Sequence, residues 1–385
     1  MRTLLTLICL YSFTCCVHSQ TLKVKKYFEW FEKNYSILSP TFSHSGNEIA
    51  FARQFQYPEG PSAPEGYFDS IGLLIGKNPR FADPVICLLD IPTKAVTDID
   101  YGWTADFSPD DKRIIYNFQS NPISGKRALA EPLKGNEIKV YDRRNKQIDV
   151  IAYPDTTFLL NPVFLDEDNV LYQIGNAVNG SYGGGVALYQ SNLKTKNSTP
   201  VYPSKKSFGN FHLIGDIYNS NGKAYYMVYI PLDSGEFMAN NYSHLLLSLN
   251  GRIVQNFGKR DFNSLEGKLG IDKDGAFIYI DDNHALLSQK DYLIKYRDQK
   301  VVYKKQLSSA YWKGFLSPTG KFLFYIDNKE QAYLMRTANF EKTKLPLSTN
   351  LIYDVIWSVN SNKFGVVQVD ENLSQTDLLT LFEVN

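Results

Sequence analysis

One local pattern recurs seven times along this chain, and it constrains the fold more than any other feature. An apolar residue leads into a tight polar turn, and apolar residues follow at +7 and +9. Phe107 leads Ser108-Pro109-Asp110-Asp111 and then Ile114 and Tyr116. Leu316 leads Ser317-Pro318-Thr319-Gly320 and then Leu323 and Tyr325. The same arrangement starts at Phe42, Phe164, Tyr218, Ile271 and Trp357, with the turn one residue shorter after Phe164. Pro and Asp start such turns, and Gly, Asn or Asp accepts the positive φ that closes them. A +7/+9 spacing has period two, so both residues share one face of a strand. Each unit reads as strand, hairpin, strand.

The lead residues recur every 41 to 65 positions, which leaves room for four strands per unit. A second strand pair follows most units, such as Glu137 to Asp142 and then Gln147 to Ile151. Seven four-stranded units in series predict an all-β fold: a single seven-bladed β-propeller. Sandwich domains would need about 90 residues per unit, with linkers between them. After the Trp357 hairpin only one further strand remains, Asp377 to Val384, so the last blade lacks its outer strand. Counting back from Phe42 by the offset of other outer strands lands on Tyr27 to Lys33. The aromatic run Tyr27-Phe28-Glu29-Trp30-Phe31 is therefore expected to close the ring and satisfy an open edge. A short amphipathic helix is the alternative there.

Composition agrees with a β-rich globular chain. Aromatics reach 14% (26 Tyr and 24 Phe), mostly beside β-branched residues. A formal charge of +1 argues against nucleic acid, which requires a basic stripe. Arg2, the apolar run Leu4 to Phe13 and the small-residue site at Val17-His18-Ser19 read as a signal peptide cleaved after Ser19. Residues 20–385 then form the propeller, secreted or periplasmic, with lipidation at Cys15 or Cys16 the lesser alternative. Cys9, Cys15 and Cys16 fall within or beside that signal. Cys87 is left alone, unable to form an internal disulfide and expected to be a small buried hydrophobe.

The runs Phe107-Ser108-Pro109-Asp110-Asp111-Lys112-Arg113-Ile114-Ile115-Tyr116 and Leu316-Ser317-Pro318-Thr319-Gly320-Lys321-Phe322-Leu323-Phe324-Tyr325 resemble the PD40, or WD40-like, repeat of the TolB-like family. The resemblance spans essentially residues 20–385, and it implies a propeller. The Gly-His and Trp-Asp dipeptides of true WD40 repeats are absent, and the N-terminal α/β domain of TolB has no expected counterpart. Such repeats accompany binding modules and several enzyme classes, so they imply a fold more than a function.

Catalytic signatures are sparse. The G-x-S-x-G elbow of propeller-bearing serine hydrolases does not occur. His44, His212, His244 and His284 are scattered and read as turn or surface residues, so neither a metal site nor a cofactor is expected. Asp110, Asp111, Asp166, Asp168, Asp272 and Asp274 sit where hairpins need them. Gly183-Gly184-Gly185 lacks the Lys-Ser/Thr of a phosphate loop and reads as a flexible connection.

The expected function is a non-catalytic, monomeric binding scaffold for a protein, a peptide or a cell-surface glycan. The alternative is a carbohydrate-active enzyme, lyase or hydrolase, using the propeller face. Excess length lies in the second-to-third-strand connections of the first four units: Gln54 to Pro84, Ser120 to Asn136, Asn176 to Gly185 and Pro231 to Tyr242. These share one face and predict a lopsided binding rim. Its candidate contact residues are Tyr57, Tyr67, Phe68, Arg80, Phe81, Arg127, Tyr182 and Phe237, because aromatics and Arg dominate binding hot spots.

Overall fold

The computed structural model describes residues 22–55, 84–119, 136–152, 158–178, 181–202, 213–220, 223–232, 242–260, 267–281, 292–307, 313–327, 329–347, 352–370 and 376–385. The recurring hairpins are its innermost strand pairs. Strand β1 (Val24–Phe31) precedes blade one, which is β2 (Tyr35–Phe42), β3 (Glu48–Phe55), β4 (Val85–Asp90) and β5 (Val96–Tyr101). Blade two is β6 (Ala105–Phe107), β7 (Arg113–Gln119), β8 (Asn136–Asp142) and β9 (Gln147–Ala152). Blade three is β10 (Phe158–Phe164), β11 (Asn169–Val178), β12 (Ser181–Asn192) and β13 (Ser198–Tyr202). Blade four is β14 (Leu213–Ser220), β15 (Lys223–Pro231), β16 (Tyr242–Ser248) and β17 (Ile253–Arg260).

Blade five follows as β18 (Leu269–Ile271), β19 (Phe277–Asp281), β20 (Tyr292–Arg297) and β21 (Lys300–Gln306). Blade six is β22 (Lys313–Leu316), β23 (Phe322–Ile326), β24 (Ala332–Arg336) and β25 (Lys342–Lys344). Blade seven takes β26 (Ile352–Trp357), β27 (Lys363–Asp370) and β28 (Thr376–Val384) from one end of the chain and β1 from the other. All the pairings are antiparallel, and no helix occurs among the described residues. The protein is a seven-bladed β-propeller.

Serine explains much of the repeat. In blade two the Ser108 hydroxyl accepts a hydrogen bond from the Arg113 amide at 2.9 Å and donates to Asp110 at 2.8 Å. Ser43, Ser317 and Ser358 accept in the same way from the amides of Glu48, Phe322 and Lys363. All four serines are buried. Each thus ties the start of a hairpin to its return strand and satisfies an amide that would otherwise be stranded. Asp166 and Asp272 accept amides of their own turns, and Asp111 takes a positive φ of 56°.

Among the described residues the core falls into seven clusters, each straddling one blade junction. Ala50, Ala52 and Ile86 of blade one pack on Phe107, Ile114 and Tyr116 of blade two. Further clusters join blades two and three, three and four, four and five, five and six, and six and seven. The seventh joins Ile356, Val367, Leu379 and Leu381 of blade seven to Ile37, Phe42, Phe51 and Leu89 of blade one. A ring, not a stack, produces that last contact. Cys87 is fully buried in it, as its apolar surroundings predict.

Closure follows the sequence reading. β1 runs antiparallel to β28, with Val24 opposite Val384 and Phe31 opposite Leu378. A strand forms where a helix was the alternative. Trp30 packs edge-on against Phe51 of blade one, with ring centroids 5.3 Å apart. Just before β1, the Leu22 amide donates to Glu341 at 2.8 Å and its carbonyl accepts from Thr343 at 2.7 Å, which pins the segment to blade six.

Two expectations need correction. The stretch Asn176 to Gly185, Gly183-Gly184-Gly185 included, is mostly strand: β11 and β12 form one long hairpin in which Gly185 pairs with Gly175 and with Ile214 of blade four. Backbone pairing needs no side chain, and glycine tolerates the two register shifts found there. His244 is not a turn or surface residue. It is buried in β16, edge-on to the Tyr229 ring at 4.6 Å.

Candidate functional site

In a four-stranded meander the second-to-third-strand connections and the blade-to-blade connections emerge on one face. Tyr57, Tyr67, Phe68, Arg80 and Phe81 fall within residues 56–83, Arg127 within 120–135 and Phe237 within 233–241, all outside the described residues. The backbone of Tyr182 pairs with Ala177 in the β11–β12 hairpin, and its side chain lies outside the described set. What the structure shows is the ground on which the two longest connections stand.

The foot of the first is organised by Arg53, near the end of β3. Its guanidinium donates to Glu32 at 2.6 Å and to both Asp98 oxygens at 2.8 and 3.0 Å, and it lies over the Tyr35 ring at 4.7 Å. The Arg53 side chain is only 16% exposed, so these charge-assisted bonds are held in a partly desolvated place where they count for more. Glu32 follows β1 and Asp98 lies on β5, so one residue ties the closing strand to both edges of blade one. The Cys87 thiol donates to Asp98 at 3.2 Å, and burial, followed by that bond, pushes its pKa up. Burial and a raised pKa both hold a thiol in its protonated, unreactive form.

The foot of the second is organised by Lys139 on β8. Its ammonium lies 3.1 Å from Asp100 and 3.5 Å from Glu137, and sits 3.0 Å from the centre of the Phe118 ring. Asp100 belongs to blade one and also accepts the Tyr116 hydroxyl of blade two at 3.0 Å. Burial, followed by the charge of Asp100, raises the Tyr116 pKa. Between them, Gly102 passes so close to the Asn117 carbonyl that a Cβ would stand 2.4 Å from it. Only glycine fits there, and the two blades stay in register beneath the rim.

Sequence reasoning passed over Arg53 and Lys139. A signal was present: Ile49, Phe51 and Arg53 occupy successive inward positions of one strand, so a charge stands where an apolar residue belongs. Such a residue is tolerated only with partners.

Four further acids are buried or half-buried, and each accepts a hydrogen bond from a nearby group. Asp106 on β6 accepts the Phe164 amide of the next blade at 2.9 Å, and burial raises its pKa to about 6. Asp216 accepts the Tyr218 hydroxyl at 3.1 Å, and Asp377 accepts the Ile37 amide at 2.6 Å. Burial likewise raises Asp354 on β26 to about 6, partly offset by the Val355 amide. These acids belong to blades two, four and seven. No group of three or more His, Cys, Asp or Glu residues suited to a metal ion occurs among the described residues.

No protein-family model and no curated protein matches this chain. No helix among the described residues is long and apolar enough to cross a membrane.

Proposed function

We propose that this chain is an exported, monomeric, non-catalytic propeller of TolB-like repeats whose rim above blades one and two binds a protein, a peptide or a cell-surface glycan. One observation carries this reading. The strands flanking residues 56–84 and 120–135, the two longest connections on that face, are fixed by the Arg53 and Lys139 networks. Binding residues concentrate on loops that a rigid scaffold positions. Tyr57, Tyr67, Phe68, Arg80, Phe81 and Arg127 would supply stacking faces and charge there. Tyr182 and Phe237 would extend the rim. Export rests on the character of residues 1–19, and N-terminal sequencing of the secreted protein should begin at Gln20.

The test is a capture experiment from the envelope of the source cell, repeated with Tyr67→Ala, Phe81→Ala and Arg127→Ala. Each substitution should weaken partner binding while leaving the melting temperature nearly unchanged. Binding that survives all three would refute the rim.

A second reading, a carbohydrate-active lyase or hydrolase, draws on Asp354, whose raised pKa near 6 suits a general acid. Incubation with a polysaccharide panel, scanning for new reducing ends or unsaturated products, separates the two. Turnover abolished by Asp354→Asn would replace the binding reading.

A further inference from the structure

A concavity among the described residues lies on the opposite face, where first-to-second and third-to-fourth-strand turns emerge. It is a cleft of about 630 Å³ between blades five and six. That volume is within the range of small-ligand sites.

Its walls are apolar and its rim cationic. Ile278, Leu293 and Phe322 contribute to the interior. Gly320, with a φ of +65°, brings the blade-six turn against them, and a Cβ there would meet Ile278 at 2.7 Å. The outer wall is β21, which is exposed at every position, unlike the other outer strands whose burial is described. Lys295 pairs with Tyr303 and Tyr296 with Val301, so Val302 is an extra residue, a β-bulge. A bulge re-aims side chains and spoils an edge for strand addition. Here Val302 and Tyr303, 53% and 38% exposed, both line the cleft.

Five cations line it: Lys273, Lys295, Arg297, Lys321 and Arg336, against the carboxylates of Asp272 and Asp274. Asp272 is held by Lys295, and Asp274 stands 3.6 Å from Arg297. Lys273 and Lys321 have no ion-pair partner among the described residues, and both belong to turns at the mouth. An uncharged ligand would leave those ammonium groups unused, and a polyanion without an apolar body would leave Val302, Tyr303 and Phe322 wet.

We propose that this cleft binds a small amphipathic organic anion, its apolar body between blades five and six and its acidic group at Lys273 and Lys321. The site is separate from the rim and does not depend on it.

The probe is 1-anilinonaphthalene-8-sulfonate, an aromatic anion whose fluorescence reports an apolar site, compared with uncharged N-phenyl-1-naphthylamine. The full chain should bind the sulfonate saturably at one site, more tightly than the neutral compound. The double variant Lys273→Glu/Lys321→Glu should lose about tenfold or more in sulfonate affinity, with the neutral compound unaffected. Val302→Asp, at an exposed position that folding does not need, should weaken both probes. Lys25→Glu, an exposed cation on β1, should change neither. Thermal melts establish that each variant is folded. Absence of saturable sulfonate binding, or a double variant that binds it as well as the parent, would overturn the proposal.

Discussion

Tyr353 and Asp377 meet within blade seven and together grip the backbone of Ile37 in blade one. The tyrosine hydroxyl donates to the Asp377 carboxylate and lies 3.0 Å from the Ile37 carbonyl, while Asp377 accepts the Ile37 amide at 2.6 Å. The two residues differ in what their loss exposes. Tyr353→Phe removes one donor from a carboxylate that keeps the Ile37 amide, whereas Asp377 is 3% exposed and its loss strands a buried amide. Tyr353→Phe should cost about 0.5–1.5 kcal/mol and Asp377→Ala about 1–3 kcal/mol. Urea melts of the two variants check the order; equal costs would mean that the seam is wetter than its geometry indicates.

Removing residues 20–34 deletes β1 and bares the β28 edge. The truncated protein should lose cooperative unfolding and become sensitive to protease. Phe28→Ala, a milder probe of a side chain 7% exposed, should cost about 2–4 kcal/mol. A truncation with an unchanged melt would refute closure by this strand.

Phe107 tests the repeat register. It is 1% exposed among Ile114, Tyr116 and the alanines of blade one. Phe107→Ala should cost about 3–5 kcal/mol in a denaturant melt. A neutral result would place the repeat in the wrong register.

Asp106 gives the blade-two junction a pH dependence. Its folded pKa, raised to about 6 by burial, stands above the ordinary value near 3.9. Between those values the folded protein binds more protons than the unfolded chain. The contribution is therefore complete below about pH 4 and is lost as pH rises through about 6. Asp106→Asn keeps an oxygen for the Phe164 amide and removes the ionisation. Relative to the parent, it should gain about 1–3 kcal/mol between pH 4 and 7. Parallel stability profiles for the two proteins would refute this assignment.

The blades were legible because turn chemistry and strand period agree at the same residues. Pro109, Asp110 and Gly320 mark turns, and Ile114, Tyr116, Leu323 and Tyr325 mark the face that each turn returns to the core. The edge left open by Asp377 to Val384 made the closing strand legible as well. The Gly183-Gly184-Gly185 strand was not, because its pairing is carried by backbone that leaves no apolar signature. The serine that ties each hairpin was visible in Ser108 and Ser317, but a hydroxyl at a turn reads as solvated until the amide it satisfies is known. The feet of the rim were hidden for a related reason. Arg53 and Asp98 are 45 positions apart, and only the blade brings them within reach.

Because β1 pairs with β28, its partner is the last strand of the propeller to be synthesised. The aromatic segment around Phe28 and Trp30 must stay solvated, or held by a chaperone, while residues 32–375 are made. Blades one to six can each form a local meander in the meantime, but the junction between blades seven and one is all-or-none. Assembly should therefore show one slow step of high contact order that waits for the synthesis of β28. The backbone of Lys23 and Asn385 exchanges two hydrogen bonds, at 3.0 and 3.4 Å. A short peptide joining those residues, with new termini cut between two other blades, would move the late step elsewhere on the ring and leave the finished structure unchanged.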